Sequence, residues 1–263
     1  MKKFLTVALA GVLAASMLFT GCSKKAESKV PDKLIVGTNA EFPPFEYMND
    51  KKQPEGFDIA MIKEIGKRMG KKVEIKNMEF KSLIGAMESD SINAIIAGMT
   101  KTEKREKAVD FSDSYYTTNQ AIILKKDSKI TKLAQLDGKK IGVQEGTTGD
   151  LISSGDKFGD GKKAKVLVKG AKVKRFKKGV DAVMDLKNGS VDAVVIDELT
   201  ANEFVKKNAK KLKIVIDSAG SEYYCIALTK GNTAYKEEVN KQIKAIKEDG
   251  TYDKLKAKYI DSK

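Results

Sequence analysis

Histidine is absent from the 263-residue chain, and arginine nearly so: among 50 basic residues only Arg68, Arg105 and Arg175 are arginine. The missing histidine excludes Ser-His-Asp and Cys-His nucleophilic schemes and histidine-based metal sites. No G-x-x-x-x-G-K-[ST] is present, so no Walker P-loop is expected. Of the two cysteines, Cys22 belongs to the N-terminal segment, and Cys225 reads as a small buried apolar residue, not a nucleophile. The net charge of +14 arises from lysines scattered among 36 acids, without interleaved aromatics or a recognisable nucleic-acid motif. Nucleic acid is therefore not an expected partner, and an anionic membrane surface or cell wall is the expected neighbour. A hydrophobic content of 41% and a charged content of 33% describe a soluble globular protein. The length suits one large core or two ordinary ones.

At the N-terminus, Lys2 and Lys3 precede an apolar run from Phe4 to Phe19, followed by Thr20-Gly21-Cys22. A basic region, a short apolar region and small residues before a cut form an export signal, expected over residues 1–21. The run is too short for a transmembrane helix. A cysteine directly after the small residue resembles the bacterial lipoprotein processing site, which makes Cys22 the expected lipidated first residue. Phe19 departs from the usual leucine there, and a secreted protein with a free Cys22 is the other reading. Residues 22–32 are polar with one proline, as a tether would be. The expected location is extracytoplasmic, lipid-anchored to the outer face of the cytoplasmic membrane, or periplasmic without the lipid.

From residue 33 onward, short apolar runs alternate with amphipathic stretches. Strands are expected at 34–38, 73–77, 92–97, 121–125, 140–144, 172–176, 191–196, 212–216 and 224–229. Helices are expected at 58–69, 80–88, 103–109, 147–153, 179–187, 198–207, 234–248 and 251–260. This alternation implies an α/β fold with mostly parallel sheets. MESDSINAIIAG, ending at Gly98, parallels LKNGSVDAVVID, ending at Asp197. Any two βαβ units share such a likeness, but two similar lobes would also produce it. In that case Gly98 and Asp197 end equivalent strands, at the edge where open α/β sheets bind ligands. AIILKK and YCIALTK are the expected crossings, giving a first lobe of 33–118 plus 230–263 and a second of 119–229.

Gly98-Met99-Thr100 ends one expected strand, and Arg105 lies early in the following helix. A helix start presents free N–H groups and the positive end of a dipole. Gly98 lets a ligand approach the backbone. Thr100 with Glu103 fits a capping box, and Thr102 fits the cap equally well. A guanidinium holds a carboxylate through two parallel hydrogen bonds in one plane, which an ammonium does not. These residues make a carboxylate site, unless Arg105 pairs on the surface with Glu106, Asp110 or Asp113. Gln144-Glu145-Gly146-Thr147-Thr148-Gly149 repeats the pattern, either for a ligand or as a plain threonine-capped helix. Asp197 can bind an ammonium or cap the next helix. NAEFPPFEY (39–47) gathers Phe42, Phe45 and Tyr47, which can wall a pocket together with Phe80 or pin the loop to its own core. An anion site, an ammonium partner and apolar walls describe a receptor for a zwitterion. No general base paired with a nucleophile is visible, so no catalysis, cofactor or metal is expected.

The ordered set VGTNAEFPPFEY, GFDIAMIKEIGKRMG, INAIIAGMTKTEKREKAVDFSDSYY, IGVQEGTT, VDAVVID and EDGTYDKLKAKY resembles the bacterial extracellular solute-binding proteins of polar amino-acid ABC transporters. The resemblance spans nearly all of residues 33–260. It implies a type II periplasmic-binding-protein-like architecture: two Rossmann-like lobes joined by two crossing strands. The lobes would close about a hinge on one L-amino acid, and the monomer would deliver it to a membrane permease. It further implies that Arg105 grips the α-carboxylate, helped by Gly98, Thr100, Thr147 and Thr148. Asp197 and the Gly98 carbonyl would take the α-ammonium, and Phe42 and Phe80 would sandwich the side chain. Asn39 stands where many members that bind cationic amino acids have an acid, and Glu41 is the candidate to compensate. A polar or cationic amino acid is expected, with glutamine and cystine open. Cys225 stands where the family usually has glycine. Residues 153–165 read as an inserted surface loop, whose Asp and Gly content is also that of a cation loop. A cyclohexadienyl-dehydratase-like enzyme on the same fold is an alternative; it needs a further acid in the cleft, for which Glu41 and Glu145 are candidates. An amino-acid sensor is a third reading, for which no fused signalling domain is expected.

Overall fold

The computed structural model describes residues 29–158, 165–217 and 220–261. The expected export signal, Cys22, most of the tether and part of the 153–165 loop lie outside the described residues.

KLIVGT forms β1 (Lys33–Thr38), which pairs in parallel with β5 (Lys72–Asn77) and β6 (Ala94–Ile95). Between β1 and β5 lie β2 (Glu41–Phe42), β3 (Glu46–Met48) and β4 (Pro54–Glu55), a small antiparallel sheet made from the aromatic loop. Phe45 is fully buried beneath it, 5.0 Å from the ring centroids of both Tyr116 and Tyr224. That ring pins the loop to the core and leaves Phe42 nearer the cleft. Helix α1 (Phe57–Arg68) then turns Met61, Ile62 and Ile65 inward at helical spacing. After α2 (Leu83–Glu88), α3 (Glu103–Glu106) and β7 (Val109–Thr118), the chain leaves this sheet.

The second sheet is built from β8 (Gln120–Lys125), β9 (Lys140–Gln144), β12 (Lys172–Phe176), β13 (Ala193–Asp197) and β14 (Leu212–Ile216). Its helices are α4 (Thr148–Ser153), α5 (Gly179–Asn188) and α6 (Glu198–Lys206), and a short ladder joins β10 (Lys157–Phe158) to β11 (Lys165–Val166). The chain returns through β15 (Glu222–Thr229) and ends in α7 (Thr233–Glu248) and α8 (Thr251–Lys256) on the first lobe.

The strand orders are β5-β1-β6-β15-β7 and β12-β9-β13-β8-β14. In each sheet the first two pairings are parallel and the last two antiparallel. Thus β6 and β13 occupy the same central place, and the repeat faintly visible in the sequence is a topological one. AVVID of β13 is buried at all five residues, as a strand covered on both faces must be.

Two readings change. YCIALT does not close the second lobe, because β15 pairs with β6 and β7 in the first sheet. The chain crosses at Asn119 and again between β14 and β15, so lobe 2 ends before Glu222, not at residue 229. A central antiparallel strand presents the same apolar run whichever sheet holds it, which is why composition misplaced the boundary. The helix expected over 103–109 stops at Glu106, because Val109 already opens β7.

Candidate functional site

The C-terminal ends of β6 and β13 face each other across the cleft. Past β6, Gly98 turns with φ +51°, and its N–H donates to Asp58 Oδ2 at 2.8 Å. A side chain here would start 3.2 Å from the Phe42 ring and 3.3 Å from that of Tyr224, so only glycine fits both the turn and the space. Thr102, not Thr100, caps α3 by accepting from the Arg105 N–H. Thr100 is thereby released, and its hydroxyl donates to Glu222 Oε2 at 2.5 Å.

Arg105 is buried, its guanidinium 5.3 Å from the Phe80 ring centroid. Nη1 donates to the Thr100 carbonyl at 2.6 Å and Nη2 to the Gly146 carbonyl at 2.9 Å, one from each lobe. The surface pairing of Arg105 is overturned. Glu106 pairs with Lys101, Asp110 pairs with Lys230, and Asp113 takes part through its backbone N–H, which donates to Asn240. Burial lowers the Arg105 pKa to about 10, still far above neutrality.

In the second lobe, Thr147 caps α4 by accepting from the Asp150 N–H and donates to the Gln144 carbonyl. Thr148 donates to Glu222 Oε2 at 2.7 Å and accepts from Gln120 Nε2 at 3.2 Å. Gly149 lies against β13 so closely that a Cβ would stand 2.7 Å from the Val195 carbonyl oxygen. Asp197 occupies the N-cap position of α6 without capping it; its Oδ1 accepts instead from the Tyr224 hydroxyl at 2.6 Å. Burial, then the charge of Glu222, raises the Asp197 pKa to about 8. Burial also raises Glu222.

Phe42, Phe80, Ala97, Gly98, Thr100, Arg105, Thr147, Thr148 and Asp197 enclose a space of only about 10 Å³. Eight of the ten ligand-contacting residues expected from sequence are in that wall. Asn39 and Glu41 are not. Asn39 Oδ1 accepts from Gln144 Nε2 across the lobes at 2.7 Å, and Glu41 forms a 2.7 Å ion pair with Lys178. A larger cavity of about 460 Å³ opens beside Arg105, between Met99 and Ile84 of one lobe and Leu151 and Asp150 of the other. Further ion pairs, Lys81–Glu145 at 2.6 Å and Lys177–Glu79 at 2.6 Å, also link the lobes.

Sequence reasoning missed Glu222, Tyr224 and Gln120. For the first two the signal was alternation: in EYYCIALT, Glu222 and Tyr224 share the inward face with Ile226, while Tyr223 points out; Gln120 opens a strand buried at five successive residues and carries no such signal. Apart from Asp150, which pairs with Arg175, four carboxylates are buried: Glu46, Asp58, Asp197 and Glu222. Arg105 is the one buried cationic side chain among the described residues. Burial lifts all four acids, Asp58 to about 6. Of these, Asp197 lines the enclosed space, where a positive charge beside it would favour its ionised form. Cys225 is buried, with its thiol pushed up to about 12, and is no nucleophile.

The family model described as bacterial extracellular solute-binding proteins, family 3, matches residues 34–262. The arginine-binding extracellular protein ArtP of Bacillus subtilis (strain 168) is 33% identical over 263 residues, covering 99% of this chain and 98% of that protein. Among solved structures, an ancestral arginine-binding protein bound to arginine is 41% identical with a TM-score of 0.78, covering 88% of this chain and 100% of that one. An ancestral amino acid-binding protein described as a precursor of cyclohexadienyl dehydratase is 33% identical with a TM-score of 0.77, covering 87% of this chain and 95% of that one.

Proposed function

The chain belongs to the bacterial extracellular solute-binding proteins, family 3, and we propose that it is the extracytoplasmic binding component of an ABC importer whose two lobes close on a cationic L-amino acid, arginine foremost. The observation that carries this reading is the meeting of Arg105 and Asp197 in one enclosed site, supplied by opposite lobes, Asp197 at the end of β13 and Arg105 on the helix that follows the equivalent strand β6. Arg105 turns from its two carbonyls to grip the α-carboxylate, joined by N–H groups at the start of α4. Asp197 takes the α-ammonium, and Phe42 and Phe80 stack on the side chain. Gln144 Oε1 is buried without a partner beside Asn39, and it accepts from the side chain's distal donors. The relatives that bind arginine support a cationic guest. The lobes closest to this reading are residues 33–118 plus 222–261, and 120–216. The ligand favours the closed form through contacts that exist only when both lobes meet, and the permease then receives it. A lipid on Cys22 holds the protein to the outer face of the membrane; replacing Cys22 by Ala should release it into the soluble fraction.

The dehydratase-like reading needs a spare acid; Glu41 and Glu145 are each tied in an ion pair, and Glu222 is engaged by the hydroxyls of Thr100 and Thr148. Incubation with prephenate or arogenate should yield no aromatic product.

A thermal-shift panel of the twenty amino acids with ornithine and cystine tests the main reading. Arginine should raise the melting temperature most, because a ligand that binds only the folded state stabilises it. No shift with any of them would overturn the proposal.

A further inference from the structure

Glu222 opens β15 immediately after the second crossing and is 1% exposed. Its Oε2 receives two hydroxyl protons, from Thr100 of the first lobe and Thr148 of the second. Its Oε1 is buried without a partner. Arg105, the nearby cation, spends its bonds on the Thr100 and Gly146 carbonyls. Resting on the amino-acid reading above, we propose that Glu222 is a specificity-determining residue that joins Asp197 in a two-carboxylate receptor for the ligand's α-ammonium, acting through the hydroxyls of Thr100 and Thr148.

The argument is one of proton direction. A threonine hydroxyl has a single proton and two lone pairs. Both protons go to Glu222, so the cleft meets only the lone pairs of these hydroxyls. They cannot donate to the α-carboxylate, which is left to Arg105 and the backbone N–H groups. They can accept from an ammonium. Glu222 thus converts two residues that look like anion donors into cation acceptors. The groups acting on the Asp197–Glu222 pair are Arg105, Tyr224, Gln120, Thr100 and Thr148, with the buried Glu46 interacting with Asp197. None forms an ion pair with either carboxylate, so the pair retains a proton until an ammonium replaces it. The same contacts join both lobes to the crossing strand, and closure is what assembles them.

Calorimetric titration of the full chain tests this, using L-arginine and its desamino analogue 5-guanidinopentanoate at pH 7 in two buffers of different ionisation enthalpy. The parent should prefer arginine and release part of a proton on binding it. Glu222→Gln keeps the shape, and should lose about tenfold to a hundredfold in arginine affinity, the worth of hydrogen bonding to a charged partner. It should also release less proton, with the analogue's affinity unchanged or improved. A merely structural role would weaken both ligands alike, and that result would overturn the proposal, as would arginine binding within about twofold of the parent. Should Glu222→Gln melt early, Thr148→Val removes one relay hydroxyl and must show the same ligand-selective loss. If the parent binds no amino acid, the transport reading falls and takes this inference with it; a binding parent with an indifferent Glu222→Gln sinks this inference alone.

Discussion

Arg105 is held in plane before any carboxylate arrives: Phe80 lies against its guanidinium and two carbonyls fix its edge. Arg105→Lys keeps the charge and loses the fork. Arginine affinity should fall at least about tenfold, with little change in the ligand-free melting temperature; equal affinity in a fluorescence titration would remove the carboxylate role. Asp197 carries the second prediction, and its sign follows from its raised pKa. Burial moves it from 3.8 to about 8, and Glu46, Asp58 and Glu222 move in the same direction. Through that window the folded chain holds protons that the unfolded chain has released. The ligand-free protein should therefore lose stability as pH rises from about 4 to about 8. An ammonium stabilises the ionised acid instead, so affinity should climb between pH 5 and 8, by up to about tenfold per unit for each proton released. Melting temperature and Kd measured across that range should show these opposed trends, and Asp197→Asn should flatten the rise in affinity. At this scale the sequence was legible where a strand ended at a turn, as at Gly98 and Asp197. It was opaque at Glu222, because an acid before two tyrosines reads as surface until the strand's inward face is known.

Among the elements, α4 shows how packing positions chemistry. It holds Thr148 in the cleft only because Gly149 lets it lie on β13. Gly149→Ala would drive a Cβ against the Val195 carbonyl, which is backbone and cannot step aside. About 1–3 kcal/mol of stability should be lost, together with most of the ligand-induced thermal shift. Gly85→Ala is the contrast: it sits within α2 facing open space. There the substitution should stabilise the fold by about 0.4–1 kcal/mol and leave affinity unchanged, as chemical denaturation and titration would report. The strands expected at 140–144, 172–176 and 212–216 coincide with β9, β12 and β14. These are short apolar or alternating runs bounded by turns, so local pattern suffices. The ten residues of β7 went unread because DFSDSYYTT is mostly polar. That strand lies at the sheet's edge, where one flank is unpaired and serine, tyrosine and threonine (Ser112, Tyr115, Thr118) share the buried positions with Val109 and Phe111.

For the whole molecule, three ion pairs across the mouth join the lobes: Lys81–Glu145, Lys177–Glu79 and Lys178–Glu41. The lysines are largely solvated, so each pair contributes only about 0.2–1 kcal/mol, and salt screens them. Replacing all three lysines by Gln should enlarge the radius of gyration of the ligand-free protein in small-angle scattering and weaken arginine binding severalfold. Raising salt to about 1 M, where the Debye length is about 3 Å, should move the parent the same way. The two-lobed plan was legible because each half carries its own βαβ pattern. The crossing point was not, since pairing between β15 and β7 joins residues about a hundred positions apart and leaves no local trace. The placement of Glu222 at that crossing also constrains how such a protein diversifies. Asn39 and Gln144 meet each other away from the hinge, so exchanges there can retune the side-chain preference in small, separable steps. An exchange at residue 222 alters ligand choice and lobe motion at once, so a lineage would have to change both traits together or neither.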